Sequence, residues 1–195
     1  MAARSKQTLR IIGGEWRGRK FQFPDVEHLR PTPDRVRETL FNWLMPVIKG
    51  ANGLDLFCGS GALGLEALSR GAAQVAFVDK NKQAIEVLKE TCQTLNCDKA
   101  DFYLADAQIC LTKSFAGTKS VDIAFIDPPY ELLLQTQIAN TLHDLDCLSP
   151  HAWIYIEHDG RFDHQQLPEG WVKHREKVAG QVYYALYKNH KAKSF

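Results

Sequence analysis

The sequence contains no long hydrophobic run, and this absence excludes an integral membrane protein. No segment approaches the ~18 consecutive apolar residues of a membrane-spanning helix. The N-terminal segment also lacks the apolar core of a signal peptide. We therefore predict a cytoplasmic protein that has no membrane partner.

The sequence has no CxxC pair, and the number and spacing of its cysteines argue against a disulfide framework or a metal site. The five cysteines form no CxxC pair, and the seven histidines show no ligand spacing. An odd number of such cysteines is typical of reduced thiols in a cytosolic protein. We predict that the protein binds no metal.

The net charge is close to zero as well, but the positive and negative residues are unevenly distributed along the chain. The 195 residues have a formal net charge of +1 and the composition of an ordinary globular domain, with 45% hydrophobic and 24% charged residues. Residues 1–37 contain nine Lys/Arg and four Asp/Glu. Residues 38–170 contain nine Lys/Arg and eighteen Asp/Glu, whereas residues 171–195 contain six Lys/Arg and one Asp/Glu. Two basic ends around an acidic middle favour a polyanionic partner, although solvated basic termini are an alternative.

The apolar pattern predicts an α/β fold, because strand-like runs alternate with helix-like runs. The expected strands lie at 53–57, 74–79, 101–105, 121–127 and 152–158, and the expected helices at 61–70, 82–95, 107–115 and 131–146. Such alternation predicts a mostly parallel sheet covered on both faces, with ligands at the carboxyl ends of its strands.

The sequence pattern at each end of the chain predicts a β-hairpin. Two short strands are expected around a glycine turn between residues 9 and 23, and a C-terminal antiparallel hairpin is expected at 171–178 and 181–188. After the first hairpin we expect a helix with Thr32 as its N-cap and Pro33 as its first residue.

A glycine-rich loop follows the first strand of the predicted sheet. Gly59, Gly61 and Gly64 match the GxGxxG pattern, in which missing Cβ atoms let a ligand approach the backbone at a helix N-terminus. Asp79 ends the next strand, where a carboxylate can accept hydrogen bonds from ribose hydroxyls. NAD binding would fit these features, but Asp55 suits a cationic amino-acid group better than a pyrophosphate.

The same loop is similar to motif I of the class I S-adenosylmethionine-dependent methyltransferases. The matching residues are Asp55, Phe57, Gly59 and Gly61. The resemblance implies that the loop binds the methionine part of S-adenosylmethionine and that Asp79 binds its ribose. It also implies that Asp106, with its neighbour Ala107, lies at the adenine, although Asp106 taken alone fits a helix cap better.

The most specific local motif is Asp127-Pro128-Pro129-Tyr130, directly after the fourth predicted strand. The prolines make a rigid corner whose carbonyls are free to accept hydrogen bonds. Asp127 and the carbonyl of Pro128 can accept the two N–H groups of an exocyclic amine, while Tyr130 can stack on its ring. The corner resembles the [DNS]PP[YF] signature of methyltransferases that act on adenine N6, guanine N2 or protein glutamine.

Basic side chains interleaved with an aromatic ring precede these motifs. Such a set is typical of a surface that contacts RNA phosphates and stacks on a base, although a charged edge hairpin is an alternative. The residues are Arg10, Trp16, Arg17, Arg19, Lys20, Arg30 and Arg35.

Taken together, five blocks resemble the RsmD family of 16S rRNA (guanine-966 N2)-methyltransferases. The blocks are RIIGGEWRGRK, RPTPDRVRETLFNWL, LDLFCGSGALGLEALSRGA, DPPY and HREKVAGQVYYALY, within about residues 9–188. The resemblance implies a three-layer, Rossmann-like fold with a seven-stranded sheet, and a hairpin that binds 16S rRNA of the small ribosomal subunit. It also implies that the segment around Arg35, Arg37 and Thr39 helps to close the cofactor and substrate site.

On this basis we expect an RNA-binding extension at 1–30, a methyltransferase domain at 31–190 and a basic tail at 191–195. We expect a monomer without a DNA partner. Two alternatives stay open: nitrogen methylation of DNA adenine or protein glutamine, and a non-catalytic RNA-binding factor of ribosome assembly.

Overall fold

The computed structural model describes residues 7–23 and 32–190 and contains two separate sheets. Predictions for 1–6, for 24–31 including Arg30, and for the tail at 191–195 lie outside the described residues. The smaller sheet is the predicted N-terminal hairpin, in which β1 (Gln7–Arg10) pairs antiparallel with β2 (Lys20–Phe23).

Seven strands form the larger sheet, in the order β5-β4-β3-β6-β7-β9-β8. They are β3 (Asn52–Asp55), β4 (Gln74–Asp79), β5 (Ala100–Leu104), β6 (Val121–Ile126), β7 (Leu148–His158), β8 (Trp171–Ala179) and β9 (Val182–Asn189). Neighbours pair in parallel from β5 to β7, and β9 pairs antiparallel with both β7 and β8. The mostly parallel sheet with a closing antiparallel hairpin is confirmed.

Helices cover both faces of this sheet. The described residues form α1 (Asp34–Leu44), α2 (Ala62–Ser69), α3 (Lys82–Thr94), α4 (Ala107–Cys110) with a π-helical turn (Leu111–Phe115), and α5 (Gln135–Asp144). In β4, Val75 and Phe77 join the core beneath α1 to α3, whereas Ala76 and Val78 join the core beneath α4 and α5. Because side chains alternate across a strand, the sheet lies between two helical layers, as the resemblance implies.

Two helix starts differ from the predictions. The N-cap position of α1 is Pro33, and Thr32 is not a cap, because its hydroxyl donates instead to Asp127 Oδ2 at 3.2 Å. The helix predicted from residue 131 begins at Gln135. A short 3-10 turn and a left-handed Leu133 (φ 48°) come before it and interrupt regular helix.

Candidate active site

A cavity of about 1240 Å³ opens at the carboxyl ends of the parallel strands. This edge is where parallel α/β sheets bind ligands, and the volume exceeds the usual range for a single small ligand. Nine of the predicted site residues line the cavity: Asp55, Phe57, Gly59, Asp79, Asp106, Ala107, Asp127, Pro128 and Tyr130. The motifs that follow four different strands therefore meet around one space with room for two ligands.

The glycine loop turns tightly between β3 and α2. Gly59 and Gly61 have φ angles of 47° and 77°, in the left-handed region that favours glycine. A Cβ atom on Gly61 would lie 2.3 Å from Leu88 Cδ1, so a larger residue fits there only if the Leu88 side chain moves. Gly61 shapes the turn, while Gly59 lines the cavity.

Two carboxylates hold this loop in place. Asp79 accepts hydrogen bonds from the backbone N–H groups of Gly59 and Asn81, both at 2.8 Å. Asp55 accepts one from the N–H of Gly64 at 3.0 Å and is 2% exposed. Burial raises the pKa of Asp55 to about 7, against the lowering effect of the Gly64 hydrogen bond, and the charge of Asp79 raises it further. A cationic ligand beside Asp55 would offset this desolvation cost.

Asp106 has the capping role that its position alone suggests. Its Oδ1 accepts hydrogen bonds from the backbone N–H groups of Gln108 and Ile109, at 2.9 and 3.3 Å, at the start of α4. Both Asp106 and Ala107 also line the cavity. Capping and ligand binding are therefore compatible at this position.

The corner after β6 forms the opposite wall of the cavity. Asp127 receives the hydrogen bond from Thr32, a residue that precedes it by 95 positions. The hydroxyl of Tyr130 donates to Glu157 Oε1 at 2.7 Å, and Arg161 Nη2 donates to the Tyr130 carbonyl at 3.2 Å. The tyrosine of this corner is thus held at both its ring and its backbone.

Glu157 is the site residue that the sequence reasoning missed. It lies near the end of β7, lines the cavity and is only 4% exposed. Its second oxygen accepts the hydroxyl of Tyr155 at 2.7 Å, so two phenols bind one carboxylate. The sequence did contain a signal for this site residue. Glu157 is a charged residue at the end of the otherwise apolar run WIYIE, and its strand β7 pairs with β6, which leads into DPPY.

Asp127, Glu157 and Asp55 form an acidic cluster around the corner. Burial raises the pKa of Asp127 well above its usual value, and the charges of Glu157 and Asp55 raise it further, against a hydrogen bond from Thr32. Burial also raises the pKa of Glu157, although the hydroxyls of Tyr130 and Tyr155 counteract this. The cluster is therefore a strong acceptor for N–H donors and for protons.

Arg37 and Thr39 do not reach the cavity. Arg37 is fully buried, and its Nη2 donates to Asp34 Oδ1 at 2.6 Å and to the Arg10 carbonyl at 3.0 Å. The hydroxyl of Thr39 donates to the carbonyl of Arg35 in the same helix. In this structure Arg37 links α1 to the hairpin, Thr39 bonds within α1, and neither residue lines the cavity.

The N-terminal hairpin is anchored to the C-terminal half of α2. The buried Glu66 carboxylate accepts the backbone N–H groups of Ile12 and Gly13, each at 2.8 Å, and the Nε of Arg70 at 2.8 Å. Ser69 Oγ accepts the N–H of Trp16 at 3.0 Å. The loop between β1 and β2 therefore lies at one end of α2, while the other end begins at the glycine loop.

Most of the predicted RNA-binding side chains lie on the surface. Arg17, Arg19, Lys20 and Arg35 are exposed, and no ion-pair partner for them is found within 7–23 and 32–190. Arg10 is exposed as well but lies 3.4 Å from Asp34. Trp16 differs from these residues, because its ring is partly buried against the core.

The basic C-terminal region occupies the edge of the large sheet. Lys173, Arg175 and Lys177 are exposed along β8, where charge also protects an edge strand from pairing with another chain. The turn that joins β8 to β9 lines the cavity through residues 180–183. The basic strand β8 therefore ends close to the cavity.

Three structural findings concern the metal site, the membrane span and the disulfides that the sequence lacks. No three or more His, Cys, Asp or Glu side chains of the described ranges are grouped so as to hold a metal ion. No helix in that part of the chain has both the length and the apolar character needed to span a bilayer. All five cysteines are free thiols.

Known methyltransferases resemble the chain over nearly its whole length. The family model of Conserved hypothetical protein 95 matches residues 9–188. Ribosomal RNA small subunit methyltransferase D of Escherichia coli (strain K12) is 47% identical, covering 92% of this chain and 89% of that protein. Its counterpart in Haemophilus influenzae is 41% identical, with coverages of 95% and 96%. A solved structure of a candidate methyltransferase of Escherichia coli, yhhF, is 45% identical with a TM-score of 0.87, covering 95% of this chain and 100% of that chain.

Proposed function

The chain belongs to the RsmD family of methyltransferases, and on this premise we propose that it methylates the exocyclic N2 of guanine-966 in 16S rRNA. S-Adenosylmethionine is the proposed methyl donor. The observation that carries the proposal is the meeting of the glycine loop and the DPPY corner, with its acidic cluster, around one cavity.

The cavity offers fitting partners for each part of S-adenosylmethionine. Asp55 suits the cationic amino-acid end, Asp79 suits the ribose hydroxyls, and Asp106 with Ala107 suits the adenine. Gly59 has no side chain where it lines the cavity, so a ligand can come close to the backbone of the loop. When bound, S-adenosylmethionine supplies a methyl group that is activated by a cationic sulfur.

At the corner, the chain's own residues would bind and orient the guanine. Asp127 and the carbonyl of Pro128 accept the two N–H groups of the exocyclic amine, and the ring of Tyr130 stacks on the base. Alignment of the amine with the methyl group can lower the barrier by about 7–11 kcal/mol. The amine loses one proton when the methyl group is transferred, and the Asp127–Glu157 pair lies beside it to accept that proton.

The basic surfaces support a nucleic-acid partner over a protein. The hairpin has exposed arginines, and the basic strand β8 leads into a turn that lines the acidic cavity. Basic surfaces outside an acidic cavity are expected if phosphates are held outside and a base is held inside. A small ribosomal subunit as substrate implies action in the cytoplasm, and we propose that a monomer is sufficient.

The test is methyl transfer from labelled S-adenosylmethionine to unmethylated small subunits, free 16S rRNA, DNA and a protein fraction. We expect label only in 16S rRNA, at guanine-966 as N2-methylguanine by mass spectrometry. Label in DNA or protein, or at another nucleotide, would contradict the proposed substrate. Failure to bind S-adenosylmethionine in calorimetry would instead favour a non-catalytic assembly factor.

Replacement of the corner carboxylate provides the matching variant. We expect Asp127→Ala to lower the methylation rate by about 100-fold or more, because a positioned acceptor is lost, while S-adenosylmethionine binding is largely kept. The control is Asp98→Ala, at an exposed carboxylate outside the cavity. Near-normal turnover of the Asp127 variant would remove this residue from the mechanism.

A further inference from the structure

Two neighbouring leucines lie exposed beside the DPPY corner, and we call them the leucine lip. Leu132 is 47% exposed and Leu133 is 53% exposed. Leu133 has φ 48° and ψ 40°, a left-handed conformation that is uncommon for any residue except glycine, asparagine or aspartate. Strained backbone of this kind persists where surrounding contacts impose it, and it concentrates at functional sites.

Leu132 of the leucine lip lines the cavity, and the residues just before it are held in place. The hydroxyl of Tyr130 is bound to Glu157, and the carbonyl of Tyr130 is bound to Arg161. Arg161 is itself fixed by Asp159, with 2.6 Å between Nη2 and Oδ2. Because the residues just before the lip are fastened in this way, two exposed apolar side chains are presented on a rigid support.

Position distinguishes these leucines from other exposed apolar residues. Single exposed apolar side chains are ordinary in folded proteins, and Met45, at the far end of α1, is one of them at 68% exposure. Leu132 lines the cavity, and so does the exposed Arg161 beside it. An apolar pair next to a guanidinium suits stacked bases together with a phosphate.

We propose that Leu132 and Leu133 form a wedge that inserts into the base stack beside the target guanine and keeps that guanine extruded into the cavity. The inference rests on the proposed function, because it assumes an RNA base as the ligand of the DPPY corner. A stacked base must leave its neighbours before an enzyme can modify it, and the cost of unstacking has to be met. Apolar side chains inserted between base steps are an established way for proteins to meet that cost.

The test compares two RNAs that contain the target guanine, one intact and one with an abasic nucleotide next to the target. The abasic site removes a stacking neighbour, so extrusion needs less help from the protein. For Leu132→Ala/Leu133→Ala we expect kcat/KM to fall about 10- to 100-fold on the intact RNA. The loss should shrink to about threefold or less on the abasic RNA, whose extrusion cost is lower.

Three controls separate a wedge from structural damage. Calorimetry with S-adenosylhomocysteine should give the wild-type affinity for the double alanine variant. Leu132→Met/Leu133→Met, which keeps the apolar bulk, should restore methylation of the intact RNA. Met45→Ala removes an equally exposed apolar side chain elsewhere and should leave both RNAs unaffected.

Each alternative gives a different result. Equal losses on both RNAs, or no loss on either, would overturn the wedge while leaving the proposed function intact. A loss on assembled small subunits but not on free RNA would mean that the leucine lip contacts a ribosomal protein, and this also overturns the wedge. If the wild-type protein methylates no RNA or subunit, the proposed function fails and the wedge fails with it.

Discussion

Each carboxylate oxygen of Glu157 accepts a hydrogen bond from a different tyrosine hydroxyl, and this arrangement determines the geometry of the DPPY corner. Tyr130 belongs to the DPPY motif, whereas Tyr155 lies on the same strand as Glu157. Burying a carboxylate is costly unless it is hydrogen-bonded, so these contacts stabilise a charge that the fold would otherwise expel. The result is a tyrosine ring fixed in one orientation beside Asp127.

We predict that Glu157→Gln lowers kcat about 10- to 100-fold, because the Tyr130 ring loses a charged acceptor and Asp127 loses a negative neighbour. The dissociation constant for S-adenosylmethionine should not change, since Glu157 lies on the substrate side of the cavity. Steady-state kinetics with the unmethylated RNA substrate measure kcat, and calorimetry with the cofactor measures the dissociation constant. Glu90→Gln, on the exposed face of α3, is the control; an unchanged kcat in the Glu157 variant would refute its positioning role.

Single residues show why a sequence predicts some site members and not others. Asp127 was predictable because its chemistry is contained in four consecutive residues. Thr32 was assigned as a helix cap from its neighbours, but its actual partner lies 95 residues away and only the folded chain brings the two together. Glu157 likewise acquires its meaning from Tyr130, 27 residues earlier.

At the level of elements, α2 connects two functions. Its N-terminus follows the glycine loop, and Glu66 and Ser69 in its second half receive the backbone of the basic hairpin. The helix has eight residues and is therefore about 12 Å long. The hairpin loop and the cofactor loop are thus held at a fixed separation by one rigid element.

We predict that reversing charge at Arg17 and Arg19 weakens RNA binding at least tenfold and reduces its salt dependence by about one unit of slope per lost phosphate contact. Because the loop lies about a helix length from the cavity, cofactor affinity and kcat at saturating RNA should not change. Filter binding across a salt series and calorimetry give these values. Lys99→Glu/Lys113→Glu, at two exposed lysines elsewhere, matches the charge change; equal weakening by both pairs would mean that only net charge matters.

The helices and strands were more predictable than the points where they begin and the contacts between them. The 2.0 and 3.6 residue periods marked the strands and helices of the large sheet because burial requires those periods. The start of α5 was missed because Leu133 takes a left-handed conformation, which its side chain gives no reason to expect. The docking of the hairpin on Glu66 was also unpredictable, since a buried glutamate inside a helical pattern reveals no partner.

Across the whole molecule, the near-neutral charge is the sum of basic ends and an acidic middle. The cavity concentrates part of the negative charge at Asp55, Asp79, Asp127 and Glu157. Burial raises the pKa values of Asp55, Asp127 and Glu157, and without a cationic or N–H-donating ligand the charges of neighbouring carboxylates raise those of Asp55 and Asp127 further. The ligand-free protein is therefore less stable than its core alone would allow.

We predict that the free energy of unfolding of the ligand-free protein decreases as the pH rises. The pKa of Asp55 is about 7 in the folded protein and 3.8 as an ordinary carboxyl, so the folded state binds more protons between these values. Stability should be greatest on the acidic side of this window and fall by up to about 1.4 kcal/mol per pH unit for this group.

Urea unfolding at pH 5, 6, 7 and 8 measures this dependence. Asp55→Asn removes the titrating group, so its profile should be flatter and its stability at pH 8 higher than that of the wild type. Asp98→Asn, at an exposed carboxylate, should follow the wild-type profile. Parallel profiles for the wild type and the Asp55 variant would show that Asp55 does not titrate in this range.

The contacts between the hairpin and Glu66 also set the order in which a newly made chain can complete its fold. The backbone N–H groups of Ile12 and Gly13 find their acceptor 54 and 53 residues later in the sequence. The hairpin therefore leaves the ribosome before the helix that receives it, and its core residues Ile11 and Phe21 can complete their packing only after α2 has been synthesised. The basic hairpin can reach its final docked position only after the cofactor loop, at the other end of α2, has been synthesised.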